Sequence, residues 1–360
     1  MAPLISIIVP VYNAELYIEN TVHSVICNKS DQYELILVND GSTDHSLNII
    51  NHLAEKDARI KIRTIENSGP AIARNIGMKM SSGKYIMFLD SDDMIDPETF
   101  DYVIHYIETI DTDMIIFSFQ IKNEDGNQDF YYGYDDRIVD TTELKNIFSD
   151  LYQNNLLNQI WGKIYSSDLL KKNSVTFSDY KYGEDRLFVF DAIKHCTKIE
   201  ISKKCLYYYY IRSEDSLVTK FYDKKFEVCN LIDDKIDDLQ KCCGDFSTTA
   251  LSEINYMYLK SILSCEINLF LPTCPYSFQQ KKQEIRSILN HEKVLKALKN
   301  AGRYGIIMNV ILLVMRTKSI GLNCFMAMAI TKISSRFPTF FIKTKHPQAV
   351  QITDKSGESI

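Results

Sequence analysis

No C-x-x-C pair occurs among the nine cysteines of this chain, and no histidine stands at ligand spacing from them. That pattern disfavours a zinc framework and points to reduced thiols in a cytoplasmic protein. No basic segment precedes the N-terminal apolar run, which Pro10 interrupts, so a secretory signal is not expected. Long hydrophobic runs are missing too: the longest, Ile306 to Met315, is about half of what a bilayer-spanning helix needs, and Asn309 breaks it. Acidic charge is absent from residues 293–345, which hold ten Lys or Arg, whereas residues 1–292 hold 30 basic and 45 acidic residues. The net charge of -6 therefore hides an acidic body and a basic tail. With 45% apolar and 24% charged residues, the 360-residue chain has enough apolar material for one large globular domain and an appendage.

What is present centres on Tyr85 to Asp93, a short apolar run that ends in Asp90, Asp92 and Asp93. Like charges about 4 Å apart repel by roughly 4 kcal/mol at an effective dielectric near 20, so such a cluster calls for a cation or for full solvation. Around it, strands alternate with helices. Leu4 to Val9 reads as a buried strand stopped by Pro10, after which Asn13 can cap a helix with Glu15 in its first turn. Glu34 to Val38 and Ile60 to Ile65 read as two more strands, with the turn Asn39 to Asp44 between the first of them and a helix. Gly69-Pro70 and Asp96-Pro97 each open a helix, and Met114 to Phe119 reads as a fifth strand. Residues 123–136 read as a hairpin or loop, Leu144 to Leu157 as a helix, and Asp223 to Leu298 as a run of helices. Such alternation implies an α/β fold with a mostly parallel sheet, flanking helices and a helical C-terminal extension. The loops Pro10 to Asn13, Asn39 to Asp44 and Asp90 to Asp93 all follow strands and should share the ligand-binding edge.

These segments carry a resemblance. Ile7 to Glu15, Val38 to Asp44, Asn67-Ser68-Gly69 with Ala73 to Gly77, and Leu89 to Asp93 resemble, in order, the motifs of the family-2 glycosyltransferases of bacterial surface-polysaccharide biosynthesis. The likeness covers residues 4 to 215. It implies a GT-A fold, a nucleotide-sugar donor, inversion at the anomeric carbon and a divalent cation, Mn²⁺ or Mg²⁺. By the same resemblance Pro10, Tyr12, Asn13 and Glu15 line the base and ribose pocket, and Asp40 accepts from the uracil N3-H. Asn67 and Gly69 would lie on the same nucleotide edge. Arg74 would reach the diphosphate or ribose, with a surface ion pair as the competing reading. Asp90 with Ser91 would hold the ribose side, and Asp92 with Asp93 the metal.

Glu184-Asp185 resembles the family's acidic motif, which makes Asp185 the general base for the acceptor hydroxyl and Glu184 its support. Burial beside Tyr180, Tyr182 and Phe188 would raise the Asp185 pKa toward neutrality. Trp161 and Lys163 resemble a W-x-K segment that meets the acceptor, although a core tryptophan is an equal reading. Arg212, with Ser213 and Ser216, resembles the segment that folds over the diphosphate. The Q-x-x-R-W motif of processive synthases is absent, which favours single-sugar transfer. Two other functions compete. A sugar-nucleotide nucleotidyltransferase shares a similar fold but needs a Gly-rich N-terminal phosphate loop, where this chain has Pro-Val-Tyr-Asn; a non-catalytic glycan-binding protein is the other.

These readings divide the chain into a transferase domain at 1–220, with a nucleotide half at 1–118 and an acceptor half at 119–220, and a helical extension at 221–300. A basic apolar segment at 301–345 and a flexible tail at 346–360 complete it. The basic segment suits peripheral attachment to the inner face of the cell membrane near a glycan or lipid-linked oligosaccharide acceptor. Its alternative is a pair of core helices with snorkelling cations. Nucleic acid is not expected as a partner, given the acidic body.

Overall fold

The protein is described here by a computed structural model that covers residues 3–123, 129–211, 220–302, 304–336 and 350–351. Its N-terminal half runs β1 (Ile5–Val11), α1 (Ile18–Ile26), β2 (Tyr33–Asp40), α2 (Ser46–Lys56), β3 (Ile60–Ile65), α3 (Pro70–Met80) and β4 (Tyr85–Phe88). The β-branched runs of β1 and β2 are buried throughout, as strands covered on both faces require. These four strands are parallel and lie in the order β4-β1-β2-β3. Because the order reverses at β1, a crevice opens between the loops that follow β1 and β4.

Pro10 does not end β1, contrary to the expectation from its missing N-H. It stays in register with Val38, and Val11 follows with Asn39. The side on which Pro10 would donate faces β4, whose pairing with β1 stops at Ile8 and Phe88, so no ladder bond is lost. Asn13 does not cap α1 either: the helix begins at Ile18, after Tyr17, and no side chain caps it. Gly69 and Pro70 do open α3, and Asp96 caps α4 (Pro97–Ile107) by accepting from the Thr99 N-H at 2.8 Å.

The remaining sheet is mixed rather than parallel. A two-residue strand β5 (Met94–Ile95) precedes α4, and β6 (Met114–Asn123) pairs antiparallel with β7 (Phe130–Tyr132). After β8 (Arg137–Asp140), two short helices, α5 (Thr141–Leu144) and α6 (Phe148–Gln153), replace the single helix expected over 144–157. Strand β9 (Lys163–Ser166) inserts antiparallel between β4 and β6. Helices α7 (Ser167–Lys172) and α8 (Glu184–Lys194) lead to β10 (Lys198–Ile211), which runs parallel to β6 and antiparallel to β5 and β8.

Among the described residues six helices follow: α9 (Lys225–Cys243), α10 (Thr248–Asn268), α11 (Phe278–Asn290), α12 (Glu292–Asn300), α13 (Ile306–Arg316) and α14 (Ile320–Arg336); β11 (Val350–Gln351) pairs with β7. Two hydrophobic cores result. The first runs from Ile5 through the sheet to Ile254, and so takes in the inner face of α9 and the start of α10. The second is built from α9 to α14, from Cys229 to Cys324. Packing is therefore continuous across residue 220. Among the described residues no helix is long and apolar enough to cross a membrane.

Candidate active site at the strand-end edge

The loops after β1 and β2 are laced together by side chains that accept from the opposite backbone. Asn13, in the left-handed region at φ 48°, accepts from the Thr43 N-H at 2.8 Å, and its own N-H donates to Ser42 Oγ at 3.2 Å. Glu15 accepts from the His45 N-H at 2.8 Å, while Asp44 accepts from the Glu15 N-H at 3.0 Å. Asn13 and Glu15 thus act on the neighbouring loop, not on α1 as the sequence suggests. Gly41 sits at φ 70°, and a Cβ there would come within 2.8 Å of the Asn67 backbone nitrogen, so only glycine lets the second and third loops close. Asp40, almost fully buried, ties that contact down by accepting from the Ser68 N-H at 2.7 Å and the Gly69 N-H at 2.8 Å. Tyr12 and Asn67 are exposed beside this edge, and Pro10 lies just beneath it. The Ser91 carbonyl accepts from Thr21 of α1, which fixes the fourth loop to the first helix.

Arg74 joins this edge to the second carboxylate pair. It lies in α3, only 5% exposed, with Phe177 beneath its guanidinium at 5.5 Å. One terminal nitrogen donates to Asp90 at 2.8 Å; the other donates to Asp185 at 3.3 Å and stands 3.9 Å from Glu184. A buried ion-paired arginine replaces the surface pair that the sequence left open. Its neighbour Asn75 makes two bonds to the Phe177 backbone, both 2.9 Å, and locks the two halves of the domain at the same place.

Glu184 and Asp185 open α8 behind Gly183, whose φ of 73° turns the chain into the helix. Below them Phe177 and Phe188 stack at 4.1 Å and Phe88 meets both edge-on. A quarter of the Asp185 side chain remains open to the cleft. Burial pushes its pKa up to about 7, with Glu184 and Asp90 adding to the rise and Arg74 and Lys163 opposing it. Glu184 is raised as well, chiefly by burial. Beside this helix start a cleft of about 550 Å³ is lined by Tyr180, Tyr182, Tyr222 and Lys225 among others.

Three expected roles change. Asp93 is not presented to a ligand: it is fully buried, accepts from Tyr207 Oη at 2.7 Å and from the Tyr210 N-H at 2.9 Å, and burial raises its pKa well above the carboxylate range. Lys163, 1% exposed, cannot touch an acceptor; it donates to the carbonyls of Gln159 at 2.6 Å and Trp161 at 3.3 Å, and burial lowers its pKa to about 7. Trp161 is buried with its ring stacked on Tyr207 at 4.3 Å and on Tyr209 at 5.6 Å, with Phe119 at its edge, so no broad face is left for a sugar. Arg212, with Ser213 and Ser216, lies outside the described residues. Two residues with clear roles at the site were not singled out from the sequence. Tyr207 holds the acidic loop by accepting from the Asp90 N-H and donating to Asp93, and Asn75 holds the Phe177 loop. Asn75 stands next to Arg74 in a quoted motif, and Tyr207 sits in an aromatic strand, but neither position announces its partner.

Among the described residues no cluster of three or more His, Cys, Asp or Glu could hold a metal ion unaided. A magnesium-type ion, however, takes hard oxygen donors and commonly only one or two carboxylates, the rest coming from substrate phosphates. Asp92, partly exposed at the crevice, is a carboxylate of that kind; Asp90 pairs with Arg74, and Asp93 is buried against Tyr207 and Tyr210.

Comparison with known proteins agrees with this geometry. Residues 6–175 match the family model for glycosyl transferase family 2. EpsH of Bacillus subtilis, a glycosyltransferase by name, is 30% identical over 233 residues, which take in 62% of this chain and 65% of EpsH. The poly(ribitol-phosphate) beta-N-acetylglucosaminyltransferase TarS of Staphylococcus aureus is 29% identical over 243 residues, 63% of this chain and 39% of TarS. The chain thus spans less than two thirds of these relatives' length. The crystal structure of TarS residues 1–349 in complex with UDP-GlcNAc superposes with a TM-score of 0.66 at 24% identity, over 93% of this chain and 92% of that one. The strand order, the four loops in sequence and the matched family model agree: residues 6–175 form a glycosyl transferase family 2 domain, and the chain has a GT-A fold.

Proposed function

We propose that this protein is an inverting glycosyltransferase that moves one sugar from a UDP-sugar to a hydroxyl of a glycan acceptor. The observation that carries this reading is the Arg74 bridge, which sets a proton-accepting carboxylate, Asp185, across from the strand-end edge. In transfer, the acceptor oxygen forms the bond to the anomeric carbon as the bond to UDP breaks, and the hydroxyl proton passes to an Asp185 oxygen. Inversion follows from attack opposite the leaving group. A base whose pKa stands near 7 is matched to this task at neutral pH. Tyr12 would stack on the uracil. Asp40 would accept from N3-H with lone pairs left over from its two backbone bonds, since a carboxylate has about four such sites. A divalent cation held by Asp92 and the donor phosphates would neutralise charge on the departing diphosphate.

The acceptor enters, on this reading, through the tyrosine-lined cleft beside α8, which takes over the part first given to Trp161 and Lys163. The relatives' names and the UDP-GlcNAc complex of TarS support a UDP-sugar donor and a role in surface-polysaccharide synthesis. We place the reaction at the cytoplasmic face of the cell membrane, on a lipid-linked acceptor. The test is a screen of UDP-, GDP- and dTDP-sugars for Mn²⁺- or Mg²⁺-dependent hydrolysis and for protection against thermal unfolding. Turnover of one UDP-sugar is expected; response to GDP- or dTDP-sugars alone would overturn the uridine assignment, and response to none would overturn the function.

A further inference from the structure

Helix α13 is apolar all round but covered on one side only. Met308, Leu312 and Met315 enter the second core, whereas Ile306 is 84% exposed, Ile307 71%, and Val310 and Leu313 each more than half. A helix with this pattern is normally buried on every side, so its outer face asks for a partner. Helix α14 repeats the arrangement: Cys324 and Ala327 are buried, while Leu322 is half exposed and Phe325 67%. The one interior polar residue of α13 is withdrawn from the surface, since Asn309 bonds both ways to the Tyr304 backbone at 3.0 and 2.7 Å.

Charge selects the partner. Arg316 and Lys318 stand at the α13–α14 turn, and Lys332 and Arg336 at the far end of α14, with no Asp or Glu anywhere in residues 293–345. Arg316 donates to the Leu298 and Ala301 carbonyls and not to a carboxylate, so among the described residues no ion pair there offsets its charge. Apolar residues flanked by cations suit a surface that is apolar beneath and anionic above. At 11 residues α13 is about 16 Å long, roughly half the hydrocarbon thickness, so it can lie in the interface but cannot span it. We propose that the outer faces of α13 and α14 form a lipid-docking surface that rests in the headgroup layer of an anionic bilayer. The inference gives the membrane-face part of the function above a defined surface and rests on it for location alone, not for its chemistry.

The experiment is co-sedimentation of the full chain with vesicles of phosphatidylcholine, with and without phosphatidylglycerol, alongside its molar mass in solution. Binding is expected only to the anionic vesicles and is expected to weaken with salt. Ile307→Glu combined with Leu313→Glu, and separately Phe325→Glu, should lower partitioning by about tenfold or more, given what burial of one large apolar side chain contributes. Both changes are at outward positions, and unaltered thermal unfolding and UDP-sugar hydrolysis would show that the fold is kept. Lys318→Gln with Arg336→Gln, which leaves every apolar contact in place, should flatten the salt dependence. Failure of the wild type to bind anionic vesicles, equal binding by the variants, or a solution dimer that the Glu variants split would each overturn the proposal, the last in favour of a second copy. Hydrolysis without vesicle binding would refute this surface alone, and binding without hydrolysis the proposed chemistry alone.

Discussion

The strand-end edge and the C-terminal helices differ in how they hold their buried carboxylates. At the edge, Asn13, Glu15, Asp40 and Asp44 each accept from a backbone N-H of a neighbouring loop or of the α2 start, and Arg74 is shared by three carboxylates. In the helices, fully buried Glu266 of α10 has both carboxyl oxygens without a hydrogen-bond partner among the described residues, and so does Asn323 Oδ1 of α14. Preorganised polar groups fix the geometry of a reaction centre, because they need not rearrange as charge develops. The helical region has no such demand, and its cohesion comes from apolar packing around the second core. Polar cross-links are concentrated at the proposed reaction centre, and apolar packing in the helices.

The largest break in that contrast should come from Asp185→Asn. A positioned general base contributes about 10²–10⁴-fold, so turnover should fall by that factor while UDP still protects the protein against unfolding. Unchanged turnover would remove Asp185 from the chemistry. Asp40→Ala comes next: it releases the Ser68 and Gly69 N-H groups, each a net loss of about 1 kcal/mol or more, and should loosen donor binding more than it slows turnover. A purely kinetic defect, with donor affinity kept, would contradict the loop-anchoring role. Arg74→Gln tests the bridge itself. Arg74 lowers the Asp185 pKa against burial, so its removal should move the acidic limb of the pH–rate profile to higher pH. A profile that keeps its midpoint would show that the pairing does not tune the base.

How much of this could be read beforehand depends on how local each cause is. The alternation of β1 to β4 with α1 to α3 was legible because burial on both faces needs unbroken apolar runs, and Gly69-Pro70 and Asp96-Pro97 act within one turn of themselves. The ordered loops were enough to name the edge. What stayed hidden was set by partners far along the chain. Asp93 looks like a ligand until Tyr207 and Tyr210 of β10, 114 and 117 positions later, absorb both its oxygens. Lys163 reads as a reaching cation until β9, which it begins, is inserted between β4 and β6 and its ammonium donates to the Gln159 and Trp161 carbonyls. The Arg74–Asp185 link spans 111 positions and follows from topology alone. Asn13 and Pro10 misled for a subtler reason: their local rules are sound, but a longer β1 and a neighbouring loop offered better use of the same groups.

The smallest effect on turnover, and the sharpest probe of the tolerant half, is Glu266→Gln. Burial raises the Glu266 pKa from an ordinary 4.5 to about 8, so the folded protein holds a proton there that the unfolded chain releases. Between those two values the folded state binds one more proton, and stability must fall by about 1.4 kcal/mol for each unit of pH gained; below the unfolded value the penalty vanishes. Asp185 titrates in part of the same window, so the wild-type curve alone does not isolate Glu266. The difference between wild type and Glu266→Gln does, because the amide cannot ionise. Chemical denaturation across this pH range should give two curves that converge at acid pH and separate steadily toward pH 8, with the variant the more stable and UDP-sugar hydrolysis unchanged. Parallel curves would mean that Glu266 finds a partner when ionised. The α10–α14 contact would then follow the same rule as the strand-end edge, and the contrast between the two regions would be lost.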